Sequence, residues 1–327
     1  MLLPPSLSWL KTLSKSPTVG QLKKVAQACG VSSNGTKRVV TDRILASLAG
    51  TRALSADDRI LSIDMGLRNF AFCLLTPATN PRQGQGLKPK EPIVPSLGGS
   101  EGAAEVRTPP PLMLHDWKVL DLTEDSVDIK NNQALSPVAV DLVNRHLLPL
   151  KPTHIIIEQQ RYRSAGAAAV LEWTLRVNAL EAMLHAILTA MRSLELWKGE
   201  VTAVDPLKAA PFFFVEDGRL PSKQLKKMKI DLLGKWISTR DTKFLELGSP
   251  HVTKLADSFL EHWKPVKGTR GGKSKATEGN GEKHFKKLDD LTDCVIQGAA
   301  WASWQQTRHI LAQEGIEEKL TGLIGRR

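Results

Sequence analysis

The sequence predicts an α/β protein: a mixed, five-stranded sheet with helices on both faces, preceded by a small helical module. Three observations carry that expectation. Short β-branched runs alternate with longer segments of helical period. The first three strand-like runs have no helix between them and can join as hairpins, whereas the later ones are separated by helices. Two of the apolar runs, "RILSID" and "THIIIE", end in a single carboxylate, Asp64 and Glu158.

The elements follow in order. No acid precedes Asp42, and Lys11 and Lys15 lie in a weakly amphipathic opening rich in Ser and Leu. Residues 1–16 therefore read as a transit remnant or a disordered start, which makes a mitochondrial location the expectation. Residues 17–50 form two short helices: Leu22, Val25 and Ala26 make one stripe, and Val40, Ile44, Leu45 and Leu48 another, with "GVSSNG" breaking the run. A Gly-x-Lys-Arg turn carrying Lys37 and Arg38 gives this unit the look of a SAP helix-extended-helix DNA-binding module. A hairpin that merely caps the main domain is the equal alternative.

The main domain is expected over 57–312, followed by a tail at 313–327. Strands are predicted at 59–64, 68–75, 112–120, 153–158 and 200–204, and helices at 133–147, 166–193, 222–239, 250–262 and 289–309. Residues 76–111, rich in Pro, Gly and Ser and lacking periodicity, are expected to be a flexible insertion. The second insertion, 264–287, holds eight Lys or Arg against two Glu and cannot form a core. Three hairpin strands, a helix, an acid-ended strand and further helices are in the order of the ribonuclease H-like fold.

Bulk properties narrow the function. The 327 residues carry 45 Lys plus Arg against 34 Asp plus Glu, a net charge of +11 that suits a polyanionic partner. Cys29, Cys73 and Cys294 are far apart and form no CxxC pair, which argues against a disulfide framework and a zinc knuckle. No apolar run approaches a membrane span, so no membrane partner is expected.

The acids carry the chemistry. "KKLDDLTDCVIQGAAWASW" places Asp289, Asp290 and Asp293 at the start of an amphipathic helix. Each acid has a plain structural explanation: a turn for Asp64, a strand exit for Glu158, and helix-dipole complementation for Asp289 and Asp290. Those explanations do not account for carboxylates at all three places where this fold gathers its active site. A spacing of three or four puts Asp293 on one helix face with Asp290 or with Asp289. With Asp64 and Glu158, either pair makes a four-acid, all-oxygen set suited to two Mg²⁺ ions, with Mn²⁺ able to substitute. Such ions would activate water and stabilise the leaving 3′ oxygen of a phosphodiester.

The motifs "SIDMGLRNFAF", "IIIEQQRYRS", "EWTLRVNALEAMLHAIL", "KKMKIDLLGKWI" and "KKLDDLTDCVIQGAAW" resemble the fungal mitochondrial Holliday-junction resolvases, a cruciform-cutting endonuclease family related to bacterial RuvC. The resemblance spans about residues 17–309 apart from the two polar insertions. It implies four-way DNA junctions as substrate, paired metal-dependent cuts and a homodimer. It also implies a four-acid site at Asp64, Glu158, one of Asp289 and Asp290, and Asp293, with the choice within that pair open. The family's helical N-terminus adds weight to a DNA-binding role for residues 17–50.

Candidate DNA contacts follow Glu158 directly: Gln159, Arg161, Arg163 and Ser164 stand at the expected cleft edge. Lys223, Lys226, Lys227 and Lys229 would extend the electropositive surface. The segment 166–193 is apolar on more than one face, which fits deep burial or a dimer contact; the symmetry of a junction favours the dimer. Two rivals remain: a catalytically silent junction-binding protein, and an actin- or sugar-kinase-like ATPase. The second requires another Gly-rich phosphate hairpin, and only "EDGRL" (216–220), with no strand before it, offers another Asp-Gly; no nucleotide cofactor is therefore expected.

Overall fold

The computed structural model describes residues 17–78, 105–106, 109–123, 131–160, 172–215, 221–239, 244–263 and 278–313. In chain order the elements begin with α1 (Val19–Ala28), α2 (Lys37–Leu48), β1 (Ile60–Asp64), β2 (Phe70–Pro77), β3 (Glu105–Val106) and β4 (Leu112–Leu120). Next come α3 (Asn132–Asp141), β5 (His154–Glu158), α4 (Glu172–Ser193) and β6 (Glu200–Val204). The series ends with α5 (Pro206–Phe213), β7 (Phe214–Val215), α6 (Ser222–Ser238), β8 (Leu245–Leu247), α7 (Pro250–Trp263) and α8 (Glu278–Gln313).

The main sheet has six strands, in the order β6-β5-β1-β2-β4-β8, where the sequence predicts five. β1, β2 and β4 are antiparallel neighbours, while β5 and β6 continue in parallel from β1. The additional strand β8 is only three residues long, too short to show alternation, and exists through its parallel pairing with β4. A second, two-stranded sheet pairs β3 with β7, so part of the expected featureless insertion is strand. Thr76 and Pro77 likewise belong to β2. Residues 278–287, expected in the polar loop, form the first turns of α8: Glu282, Lys283, Lys286 and Lys287 cannot build a core but favour helix, against the cost of Gly279 and Gly281. The helix predicted at 133–147 closes α3 at Asp141 and widens into a π-type turn over Leu142–Leu147. Helix 166–193 is described from Glu172 onward, and residues 1–16, 264–277 and 314–327 lie outside the described residues.

Alternation along the strands divides the core into two layers. Leu61, Ile63, Phe72, Leu74, Ile155 and Ile157 face α3 and α4. Ile60, Ala71, Cys73, Leu75 and Ile156 face the layer that holds α5, α6, α7 and α8. Helix α8 is pinned to this second face at two heights. The buried Trp117 Nε1 donates to Leu291 O at 2.9 Å, and the buried Gln297 Nε2 donates to Ile63 O at 3.0 Å and Ser62 Oγ at 3.2 Å. Gly298 permits the close approach, since a Cβ there would stand 2.6 Å from Leu75 Cδ1 and 3.1 Å from Ser62 Cβ.

The two N-terminal helices are capped by Thr18 and Thr36 and share a small core with Leu311 of α8. Gly30, at φ +66°, turns the chain against the Trp304 ring, where a Cβ would come within 2.2 Å. Arg308 Nε donates to Cys29 O at 2.8 Å. The hairpin is thus built onto the main domain as a cap. The linker behind it is tied down at the buried Asp58, which accepts from Arg52 Nη2 at 2.6 Å and from Ser55 N at 2.7 Å.

Candidate active site

β1 and β5 run in parallel with Ile63 opposite Ile157, so the next residues along, Asp64 and Glu158, emerge side by side at the strand ends. The two-residue period turns both toward α8, on the side of Ile60, Ser62 and Ile156. Helix α8 runs antiparallel to these strands: Trp301 packs on His154 at the start of β5, and Gln297 bonds the end of β1. Asp293 lies four residues before Gln297 and Asp290 three before that, so both sit on the anchored face, one and two turns closer to the strand ends.

The electrostatics record the convergence. Burial first, then a hydrogen bond with Glu158, then the charges of Glu158, Asp293 and Asp290, push the Asp64 carboxyl well above the usual carboxylate range. Asp293 is raised to about 6: burial drives it up, the Lys229 ammonium pulls it back, and the charges of Asp289 and Glu158 add to the rise. Like charges in a poorly solvated site produce this pattern. Among the described residues no three such groups stand close enough together to coordinate one ion as they are. Two of the acids are satisfied instead by lysines, Asp293 by Lys229 and Asp289 by Lys226.

The structure separates the two adjacent aspartates. Asp290 acts on Asp64, whereas Asp289, buried and paired with Lys226, acts on Asp293. Of the lysines expected on the DNA surface, Lys229 turns inward to Asp293, while Lys226 stays half-exposed at the edge, paired with Asp289, because α6 packs along α8. Lys223 and Lys227 are exposed, as is Gln159. Arg161, Arg163 and Ser164 lie outside the described residues. Arg38 is exposed at the start of α2, where it faces Asp42 at 3.9 Å, and Lys37 stands beside it.

Two participants escaped the sequence. Glu181 on α4 accepts from Gln160 N at 2.9 Å; burial raises its carboxyl, Gln160 and His185 pull it down, and Glu158 adds to the rise. Its signal was a lone acid between the buried Leu180 and Leu184. The other is Gln297, a polar residue on the buried stripe of α8.

A six-stranded mixed sheet, with antiparallel neighbours at its centre and acids at its strand ends facing a covering helix that carries further acids, defines an α/β protein with an acidic cleft. The chain belongs to the family described as mitochondrial resolvase Ydc2 / RNA splicing MRS1, whose pattern matches residues 60–311. It is a homologue of the mitochondrial cruciform cutting endonuclease 1 of Schizosaccharomyces pombe, 25% identical over 295 residues that cover 88% of this chain and 93% of the relative. The crystal structure of the yeast mitochondrial Holliday junction resolvase Ydc2 superposes with a TM-score of 0.53 at 20% identity, over 91% of this chain and 98% of that one. That superposition supports the fold.

Proposed function

We propose that this chain is a structure-selective endonuclease that cuts four-way DNA junctions in mitochondria, using divalent metal held by Asp64, Glu158, Asp290 and Asp293. The family joins a resolvase to an RNA-splicing protein, so hydrolysis has to be argued from the site. The single observation that carries it is that Glu158 of β5 and Asp290 and Asp293 of α8 all lie near enough to Asp64, at one pair of strand ends, for their charges to raise it. A protein that only bound junctions would gain nothing from burying mutually repelling acids, which cost stability unless a cation joins them.

The donor set fits Mg²⁺ or Mn²⁺: every candidate ligand is a carboxylate oxygen, and the raised Asp64 marks negative charge that one lysine does not neutralise. Two ions bound there would supply an activated water and a charge clamp on the leaving 3′ oxygen. The protein's own part is placement. Asp64, at the centre of the sheet, lies within charge range of Glu158, Asp290 and Asp293; Glu158 is fixed beside it by strand register, and the two aspartates are set by the anchoring of α8. Asp289 is assigned a structural role in its pair with Lys226.

Exposed Gln159, Lys223 and Lys227, with Arg161, Arg163 and Ser164 of the adjoining segment, are proposed to carry DNA phosphates past the cleft. Lys37 and Arg38 would touch an outlying arm. A homodimer through α4 is supported by its second face. Val177, Leu180, Leu184 and Leu188 are buried in the protomer, while Leu175, Ala182 and Ala186 remain exposed along the opposite side. The test is cleavage of a synthetic cruciform with and without Mg²⁺: paired cuts that need metal and vanish in Asp64→Asn are expected. Tight junction binding with no cut at any metal concentration would leave only a binding protein.

A further inference from the structure

The site holds two lysines of its own. Helices α6 and α8 lie side by side in the same direction, and Lys226 and Lys229 form a two-rung ladder to Asp289 and Asp293. The rungs differ in depth. The Lys226 side chain is 53% exposed, whereas that of Lys229 is only 14% exposed against 30% for Asp293. A lysine that deep has given up most of its hydration, which is costly unless a carboxylate replaces the water. Its partner, Asp293, lies near enough to Glu158 and Asp64 for their charges to act on one another. Lys229 therefore stands at the seam between the α6–α8 ladder and the acid cluster.

We propose that Lys229 is a built-in cation of the metal-free site, which holds Asp293 in place and opposes entry of the divalent ion, with Lys226 a weaker second. This rests on the reading of Asp290 and Asp293 as metal-facing acids. In the metal-free chain the Lys229 ammonium offsets part of the repulsion among Asp64, Glu158, Asp290 and Asp293. A divalent cation arriving at the same carboxylates meets that positive charge at short range, and repulsion in a partly desolvated site is strong. The ion must share Asp293 with the ammonium or displace it. The device keeps the cluster folded when metal is scarce and sets the metal concentration at which the site fills.

The experiment uses the full chain without DNA and Mn²⁺ as the only probe. Metal affinity is measured by calorimetry, and the thermal midpoint is measured in EDTA and at saturating Mn²⁺. Lys229→Met should lower the midpoint in EDTA by about 5 °C or more, because a buried carboxylate loses its partner. The same change should tighten Mn²⁺ binding by about tenfold or more, so that saturating metal restores most of the lost midpoint. Lys229→Arg should return both values toward wild type, and Lys226→Met should shift both in the same direction by less. Weaker Mn²⁺ binding in Lys229→Met would overturn the proposal, since the lysine would then be orienting Asp293 for the ion rather than opposing it. An unchanged midpoint in EDTA would equally remove the counter-ion. Asp290→Asn is the separate arm: if it leaves wild-type Mn²⁺ binding untouched, the metal assignment itself fails, whatever Lys229 does in EDTA.

Discussion

Asp289 and Asp290 are adjacent acids that the structure sends in different directions, and replacing each by Asn should move stability and activity oppositely. Asp290 bears on the buried Asp64, so its charge opposes folding of the metal-free protein. Two carboxylates about 6 Å apart repel by roughly 3 kcal/mol at an effective dielectric of 20. Lys226, whose charge Asp290 also supports, offsets part of that repulsion, which leaves Asp290→Asn a gain of about 1 kcal/mol in EDTA at neutral pH. Asp289 holds Lys226, which is 53% exposed, so Asp289→Asn should lose about 0.5–1 kcal/mol. Cleavage should reverse the ranking. Losing a ligand charge should slow single-turnover cutting at saturating junction by about a hundredfold or more. Losing only the outer ion pair should keep the rate within about fivefold of wild type. Urea unfolding in EDTA and single-turnover cleavage in Mg²⁺ read the two effects independently. Equal loss of cleavage in both variants, or destabilisation by Asp290→Asn, would refute the assignment.

Three further outcomes are expected. A chain shortened to begin at Ser55 would expose Trp304, now 2% accessible, and Leu311, now 0%. At about 1.5–3 kcal/mol for each it should unfold well below the full chain; an unchanged thermal midpoint would make the hairpin an independent module. Gln297→Leu removes the bonds that fix α8 against β1, and should cost about 1–2 kcal/mol and slow cleavage at saturating DNA without changing junction affinity; an unchanged rate would separate Gln297 from the site. For Asp58, burial raises the carboxyl, but the Arg52 and Ser55 hydrogen bonds with the Arg52 and His154 charges outweigh it and hold it at about 2 against an ordinary 3.8. A depressed acid stabilises above its unfolded value, so roughly 1–2 kcal/mol should be lost as pH falls from about 4 to about 2. Arg52→Met should differ from wild type at pH 6 and converge with it near pH 2, by thermal melts.

The α/β plan and five of the six strands of the main sheet were legible in the sequence, which also pointed to three chain positions as sources of acids. Each is a local signal. β-branched runs such as "HIIIE" declare a strand, and a charge at the end of such a run has to leave the core there. The helical period of "LDDLTDCVIQGAAW" likewise declares a buried face, but it allows either Asp289 or Asp290 to share a side with Asp293. Which of the two turns toward the strand ends depends on the rotation of α8 about its own axis. It is decided by Trp117 bonding Leu291 across 174 residues and Gln297 bonding Ile63 across 234. The sixth strand, the turning of Lys229 inward, and the seating of the N-terminal hairpin on Trp304 are of the same kind. Periodicity says which residues share a face of one element; only packing against a distant element says what that face meets, because the contacts that fix it join segments whose local patterns carry no record of each other.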